Sequence, residues 1–148
     1  VMQDSQIILH RLMAAPVADV WRCWSDPAIL PQWFGPEGYH CITKEIDLRQ
    51  GGQWCFDMIG PDGKVWPNRH RYTLFVPLQR LAFLLDDGAD GPDPMQIVVE
   101  FAPAVGGSQI TQTMTFPSRE MCQGALQFGA DRLGQTTLAK LEAAALKL

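Results

Sequence analysis

Between Tyr39 and Phe116 the chain alternates short β-forming runs with turn signals, and this rhythm restricts the fold more than any other feature. The runs are Tyr39–Asp47, Gln53–Ile59, Arg69–Val76, Leu81–Leu85, Met95–Phe101 and Ser108–Phe116. Gly51-Gly52 and Gly60-Pro61-Asp62-Gly63 punctuate the first of them, and Gly, Pro or Asp bounds the others. Adjacent strands with connections this short pair antiparallel, as a meander. Ser5–Met13 adds a strand before it, so the sheet has six or seven strands.

Helical spacing appears on either side of the meander. Ala15-Pro16 opens a first helix, in which Val17, Val20, Trp21 and Trp24 fall on one apolar face. Ser25-Asp26-Pro27 ends it and can cap a second, with Ile29, Leu30, Trp33 and Phe34 on its apolar face and Gly35-Pro36 as its stop. The last 30 residues read as one long helix with Ser118 as N-cap. Its stripe is Leu126, Ala130, Gly134, Leu138, Leu141, Ala145 and Leu148, which must pack on the sheet. The first half of that stripe is small and the second half is rich in leucine. Helix-interior glycine costs about 1 kcal/mol relative to alanine, so Gly124, Gly129 and Gly134 signal either close approach to the sheet or a cavity.

Composition narrows the function classes. The 148 residues are 47% hydrophobic and 19% charged, which suits one globular domain over 1–148 with a sizeable interior. A net charge of −4 without a Lys/Arg cluster argues against a nucleic-acid partner. No apolar run reaches the roughly 20 residues needed to span a bilayer, and no signal-peptide pattern opens the chain, so a cytoplasmic location without membrane association is expected. Cys23, Cys41, Cys55 and Cys122 are scattered without a C-x-x-C pair and read as free thiols. No metal site is expected. The three histidines are 30 residues apart, and Asp86–Pro94, read as a calcium loop, has Gly88 and Ile97 where ligands belong. Asp47–Gly52 feeds a strand rather than a helix, so it fixes a hairpin with an Asp47–Arg49 contact instead of cradling phosphate.

Alternation within the strands assigns an inward face. It contains Trp54, Phe56 and Met58; Leu81, Phe83 and Leu85; Ile97, Val99 and Phe101; and Ile110, Met114 and Phe116. Gln112 interrupts the last series, while His70 and Tyr72 share a phase with Leu74 and Val76. An apolar cup with a few polar groups is the usual form of a small-molecule site, and His70, Tyr72 and Gln112 are the residues that would orient a ligand. The alternative for His70 is a wet strand end. His10 lies in a strand with both phases apolar, so its face is unreadable. No Ser–His–Asp set or nucleophile elbow is present, and an enzymatic reading rests on His70 and Tyr72 alone. Val17–Pro36 carries one Arg against two Asp, which removes the nucleic-acid reading of its three tryptophans. Trp21 and Trp24 are core, and the two short helices form a lid.

The combination of Arg11, Ala15-Pro16, Val20-Trp21, Trp24, Asp26-Pro27, Leu30 and Trp33-Phe34-Gly35-Pro36 resembles the opening of START-like (SRPBCC) domains. Within that superfamily the chain resembles the activator of heat-shock-protein ATPase homologue-like (Aha-like) family. The similarity continues through DLRQGGQWCFDM (47–58), GPDGKVWPN (60–68), Tyr72, Pro77, Arg80-Leu81, FPS (116–118) and FGADRLGQTTLAKL (128–141). Leu74 stands where the family pattern has Glu, and Leu133 where it has Gly; both are expected to make the interior more apolar. The resemblance implies an α+β helix-grip fold, in which a curved sheet grips the long helix around a cavity. The expected lining is Trp33, Trp54, Phe56, Met58, His70, Tyr72, Phe83, Val99, Gln112, Met114, Phe128, Leu133 and Thr137. Trp33-Phe34 is placed beside the cavity mouth, with Trp33 as the residue that touches a ligand. The implied role is to bind or carry a small hydrophobic or aromatic molecule without a cofactor. A cyclase or hydrolase in the same cavity and a chaperone-linked interaction module are the other readings. A homodimer through a sheet edge is compatible with the fold.

Overall fold

The computed structural model describes residues 5–88 and 93–148; the acidic segment 86–94 lies partly outside them. Its strands are β1 (Gln6–Met13), β2 (His40–Ile46), β3 (Gln53–Ile59), β4 (Val65–Val76), β5 (Arg80–Asp86), β6 (Met95–Ala104) and β7 (Gly107–Thr115). They form one antiparallel sheet in the order β1-β7-β6-β5-β4-β3-β2. The expected meander is therefore β2 to β7, and β1 closes it beside β7 with Gln6 opposite Thr115 and Met13 opposite Ser108. Helices α1 (Val17–Ser25), α2 (Leu30–Trp33), α3 (Arg119–Phe128) and α4 (Ala130–Leu146) complete a helix-grip α+β architecture.

The inward series holds through the middle of the sheet. Trp54, Phe56, Leu81, Phe83, Ile97, Val99, Phe101 and Ile110 are buried with Val20, Trp21 and Trp24 of α1. Trp21 meets Phe75 and Phe101 edge-on at 5.3 and 5.2 Å between ring centroids, a geometry that adds to simple area burial.

Three sequence expectations need correction. First, the pairing of β4 with β5 slips between Tyr72 and Leu74, so Leu74 lies opposite Ala82 and Phe75 opposite Leu81. A bulge of this kind reverses the alternation beyond it. Phe75 joins the core and Leu74 faces away from it, so Leu74 does not make the interior more apolar.

Second, β4 begins at Val65 rather than Arg69. The added stretch contains Pro67, which cannot donate to a sheet ladder. It lies where β4 extends past Asp86, the end of its pairing with β5, and pairs with β3 alone. That is the edge setting a proline tolerates.

Third, the C-terminal segment is two helices. Gly129 takes a left-handed conformation (φ 91°) and its N–H donates to the carbonyls of Ala125 and Leu126, closing α3 before α4 starts. The two halves differ sharply in anchoring. Leu138, Leu141 and Ala145 of α4 are buried, whereas Cys122 is the one buried residue of α3 and Leu126 is exposed. Leu148, also assigned to the stripe, is exposed beyond α4.

Close approach explains one glycine. A Cβ on Gly134 would stand 2.5 Å from Leu9 Cδ1, so α4 lies directly on β1 there. Polar contacts reinforce the seat. Arg11 donates to Glu142 Oε1 at 3.0 Å, the Ala14 N–H donates to Oε2 at 2.8 Å, and Gln135 donates to the His10 carbonyl. At Gly124 a Cβ would meet nothing within 4 Å, so close packing does not explain that position.

The smaller readings hold as well. All four cysteines are free. Arg49 meets Asp47 at 2.9 Å on the surface, and Ser118 caps α3 by accepting from the Met121 N–H. No helix among the described residues is long and apolar enough to cross a membrane.

Candidate functional site

The inward row of β4 runs Trp66, Asn68, His70, Tyr72, and β3 places Met58, Phe56 and Trp54 opposite the first three. At the outer end of these rows lies an open apolar depression of about 270 Å³, lined by Pro36, Tyr39, Met58, Trp66, Asn68, Phe128 and Leu133. A second one, of about 460 Å³, adjoins it and shares Tyr39, Trp66 and Phe128. Two aromatic side chains stand exposed over this mouth: Phe128 at 68% and Trp66 at 43%. Large apolar side chains grouped around a concavity mark a binding surface more strongly than scattered ones do.

Local chemistry fixes the mouth's lip. Gly35 sits at φ 104°, a conformation disfavoured for other residues, and lets the chain turn out of α2. The Lys140 ammonium then donates to the carbonyls of Gly35, Pro36 and Tyr39 at 3.0, 3.3 and 3.4 Å. The Glu37 N–H donates to Thr136 Oγ1 at 3.0 Å. Burial lowers the Lys140 pKa.

Deeper in, the rows close on an aromatic cage. His70 is 1% exposed, stacked on Phe83 at 4.2 Å and met edge-on by Phe34, Trp54 and Phe56. It is not at a wet strand end. Burial pushes its pKa down to about 3, with the charge of Asp86 opposing that shift, so the ring is neutral at ordinary pH. Neither ring nitrogen has a protein hydrogen-bond partner, and the same is true of Tyr72 Oη and Trp24 Nε1. Burial raises the Tyr72 pKa. Buried polar groups are nearly always paired, so three such side chains in one core are exceptional. A neutral imidazole offers one donor and one acceptor, which suits orienting a ligand. Its lack of a carboxylate partner makes it a poor proton relay.

The sequence-derived lining separates into groups. Met58, Phe128 and Leu133 meet at the mouth. Trp54, Phe56, His70, Tyr72, Phe83 and Val99 are packed together in the closed core. Gln112 and Met114 on β7 and Thr137 on α4 are half-buried, and Thr137 donates to the Leu133 carbonyl. Trp33 is not at the mouth. It is 2% exposed, its indole N–H donates to the Cys23 carbonyl, and it borders a separate depression with Ile29 and Lys140. The four-residue α2 turns it inward instead. Its neighbour Phe34, expected beside the mouth with Trp33, takes the central place in the cage instead. Trp66 and Asn68 were missed because the strand was started too late; extending Tyr72's phase backward would have found both.

A larger depression, about 620 Å³, lies elsewhere. It lies among outward-facing residues such as Leu74, Arg80, Glu100 and Thr111 and contains the Arg80–Glu100 ion pair. Its charged lining suits an apolar ligand less well than the mouth does, despite its size. Among the described residues, no three His, Cys, Asp or Glu side chains converge as metal ligands would.

Comparison with known proteins agrees with this architecture. The crystal structure of a Nitrosomonas europaea protein superposes with a TM-score of 0.85 at 24% identity, covering 99% of this chain and 97% of that one. A Chromobacterium violaceum protein gives 0.77 at 27% identity, covering 93% and 95%. An AHSA1-like protein from Aeromonas hydrophila gives 0.70 at 24% identity, covering 95% and 94%. No curated protein matches the sequence. The family model described as Activator of Hsp90 ATPase homolog 1-like protein matches residues 14–145, nearly the whole sheet and its helices, and the chain belongs to that family.

Proposed function

We propose that this protein binds a small, largely apolar molecule at the mouth between α3, the start of α4 and the ends of β3 and β4. The observation that carries the reading is the apolar concavity bounded by Met58, Trp66, Phe128 and Leu133, with exposed aromatic rings at its rim. Both the helix-grip fold and the family are compatible with a ligand-binding or interaction role. A ligand hiding roughly 250 Å² of apolar surface gains about 6 kcal/mol before association costs, enough for micromolar binding. Asn68 provides a polar contact within the lining.

The test uses the neutral dye N-phenyl-1-naphthylamine, whose fluorescence rises on transfer to an apolar site. Saturable binding to the native protein is expected, with Leu133→Trp weakening it at least tenfold at an unchanged melting temperature. Equal affinity in folded Leu133→Trp would remove the mouth as the binding site.

A further inference from the structure

The ring of Phe34 lies at the centre of the aromatic cage. It projects from the lip and lies 5.1 Å from His70, 5.4 Å from Trp54, 6.0 Å from Phe56, 5.9 Å from Trp24 and 5.7 Å from Trp33, measured between ring centroids. Each of these neighbours meets it at 61–83°, so the surroundings form a slot one ring thick. Two of the five, Trp24 and His70, carry buried polar atoms without a protein partner. Tyr72, next to His70 at 6.4 Å, carries a third. A phenylalanine ring supplies the shape of this slot but satisfies none of its hydrogen bonds.

We propose that the cage around Phe34 is a second, deeper subsite for an uncharged planar aromatic group bearing a hydroxyl or N–H, and that Phe34 is its exchangeable internal occupant. This rests on the reading that ligands enter at the mouth. Gly35 and Pro36 link Phe34 directly to the lip, so withdrawing the ring and opening the mouth are one movement. A phenolic group both donates and accepts and an indole-like group donates, and each suits a neutral imidazole with a tyrosine hydroxyl beside it. Charged aromatics are disfavoured because an ion in this cage would lose its hydration without an opposite charge to pair with. Lys140 sets the cost of exchange through its three bonds to the lip.

The experiment compares phenol with toluene, which share a shape and differ in the hydroxyl. Binding is followed by ¹⁵N shifts of the His70 ring and by tryptophan fluorescence. Phe34→Ala vacates a space of the order of 100 Å³, and engineered cavities of about 150 Å³ take up benzene. Phe34→Ala is expected to bind phenol at least tenfold more tightly than toluene and to shift the His70 ring nitrogens. The native protein should bind phenol weakly, and Lys140→Met should bind it at least fivefold more tightly. Phe34→Leu serves in place of Phe34→Ala if the latter does not fold, with the same phenol preference expected.

Equal affinity for phenol and toluene, or no binding to a folded Phe34 variant, would overturn the polar aromatic subsite. Phenol binding confined to Phe34 variants, with the native protein and Lys140→Met silent at His70, would overturn Phe34 as an exchangeable occupant. The naphthylamine assay on Leu133→Trp reports on the mouth independently. Failure there with success here would leave the cage as a site reached by another route.

Discussion

The two C-terminal helices differ in anchoring, and the contrast divides the protein by purpose. Helix α4 presses Leu138 and Leu141 into the core, seats Gly134 against Leu9 and ties Glu142 to β1. Helix α3, one glycine away, buries Cys122 and leaves Met121, Leu126 and Phe128 exposed. Low burial means low local stability, and regions that move to admit ligands come from that end of the range. The distal half of the grip holds the fold together, while the proximal half forms one wall of the mouth.

The first way to break this comparison is to truncate one large side chain in each helix. Leu141→Ala should destabilise the protein by about 2–5 kcal/mol, the usual cost of a core cavity, in urea unfolding. Phe128→Ala should stay within about 0.5 kcal/mol while weakening dye binding. Comparable losses of stability would show that α3 is anchored as firmly as α4.

The cage between the two halves gives the next effect. His70 has a folded-state pKa near 3, below its unfolded value near 6.5, so between those limits the unfolded chain binds more protons. Stability should therefore fall as pH drops from about 6.5 towards 3, by up to about 1.4 kcal/mol per unit. His70→Phe should flatten this part of the profile. An unchanged acid limb would mean that His70 is reached by water in the folded protein.

A smaller loss probes the seat of α4 at its surface. Glu142→Gln removes a carboxylate whose pKa is lowered mainly by the Ala14 N–H and then by Arg11. A depressed carboxylate stabilises above its unfolded pKa and loses that contribution as pH falls. The expected cost near neutral pH is about 1 kcal/mol, vanishing in acid, where Glu142 is protonated. A loss of the same size at every pH would assign the contact to hydrogen bonding without charge.

The smallest effect is at α3's exposed face. Met121→Gln should change stability by less than about 0.5 kcal/mol and leave dye affinity unaltered, since Met121 is outside the mouth lining. Any loss of dye affinity would extend the site along α3.

Much of this protein follows from local pattern. Period-two alternation from Gln53 to Phe116 and the Gly-Pro-Asp punctuation between runs are sufficient for the antiparallel meander, because a strand's buried face and its turns are local properties. The same holds for the buried Trp21 and Trp24, placed by helical spacing alone. Partners separated in sequence were decided elsewhere. The bulge after Tyr72 that turns Leu74 outward depends on how β5 pairs with β4. The close seat of Gly134 on Leu9 depends on how α4 crosses β1. Phe34 in the cage depends on its packing against Trp54, Phe56 and His70 of the sheet, and Trp33 away from the mouth on the bond from its indole to the Cys23 carbonyl. Spacing along the chain determines which face a side chain can take; the packing of distant elements decides what, if anything, meets it there.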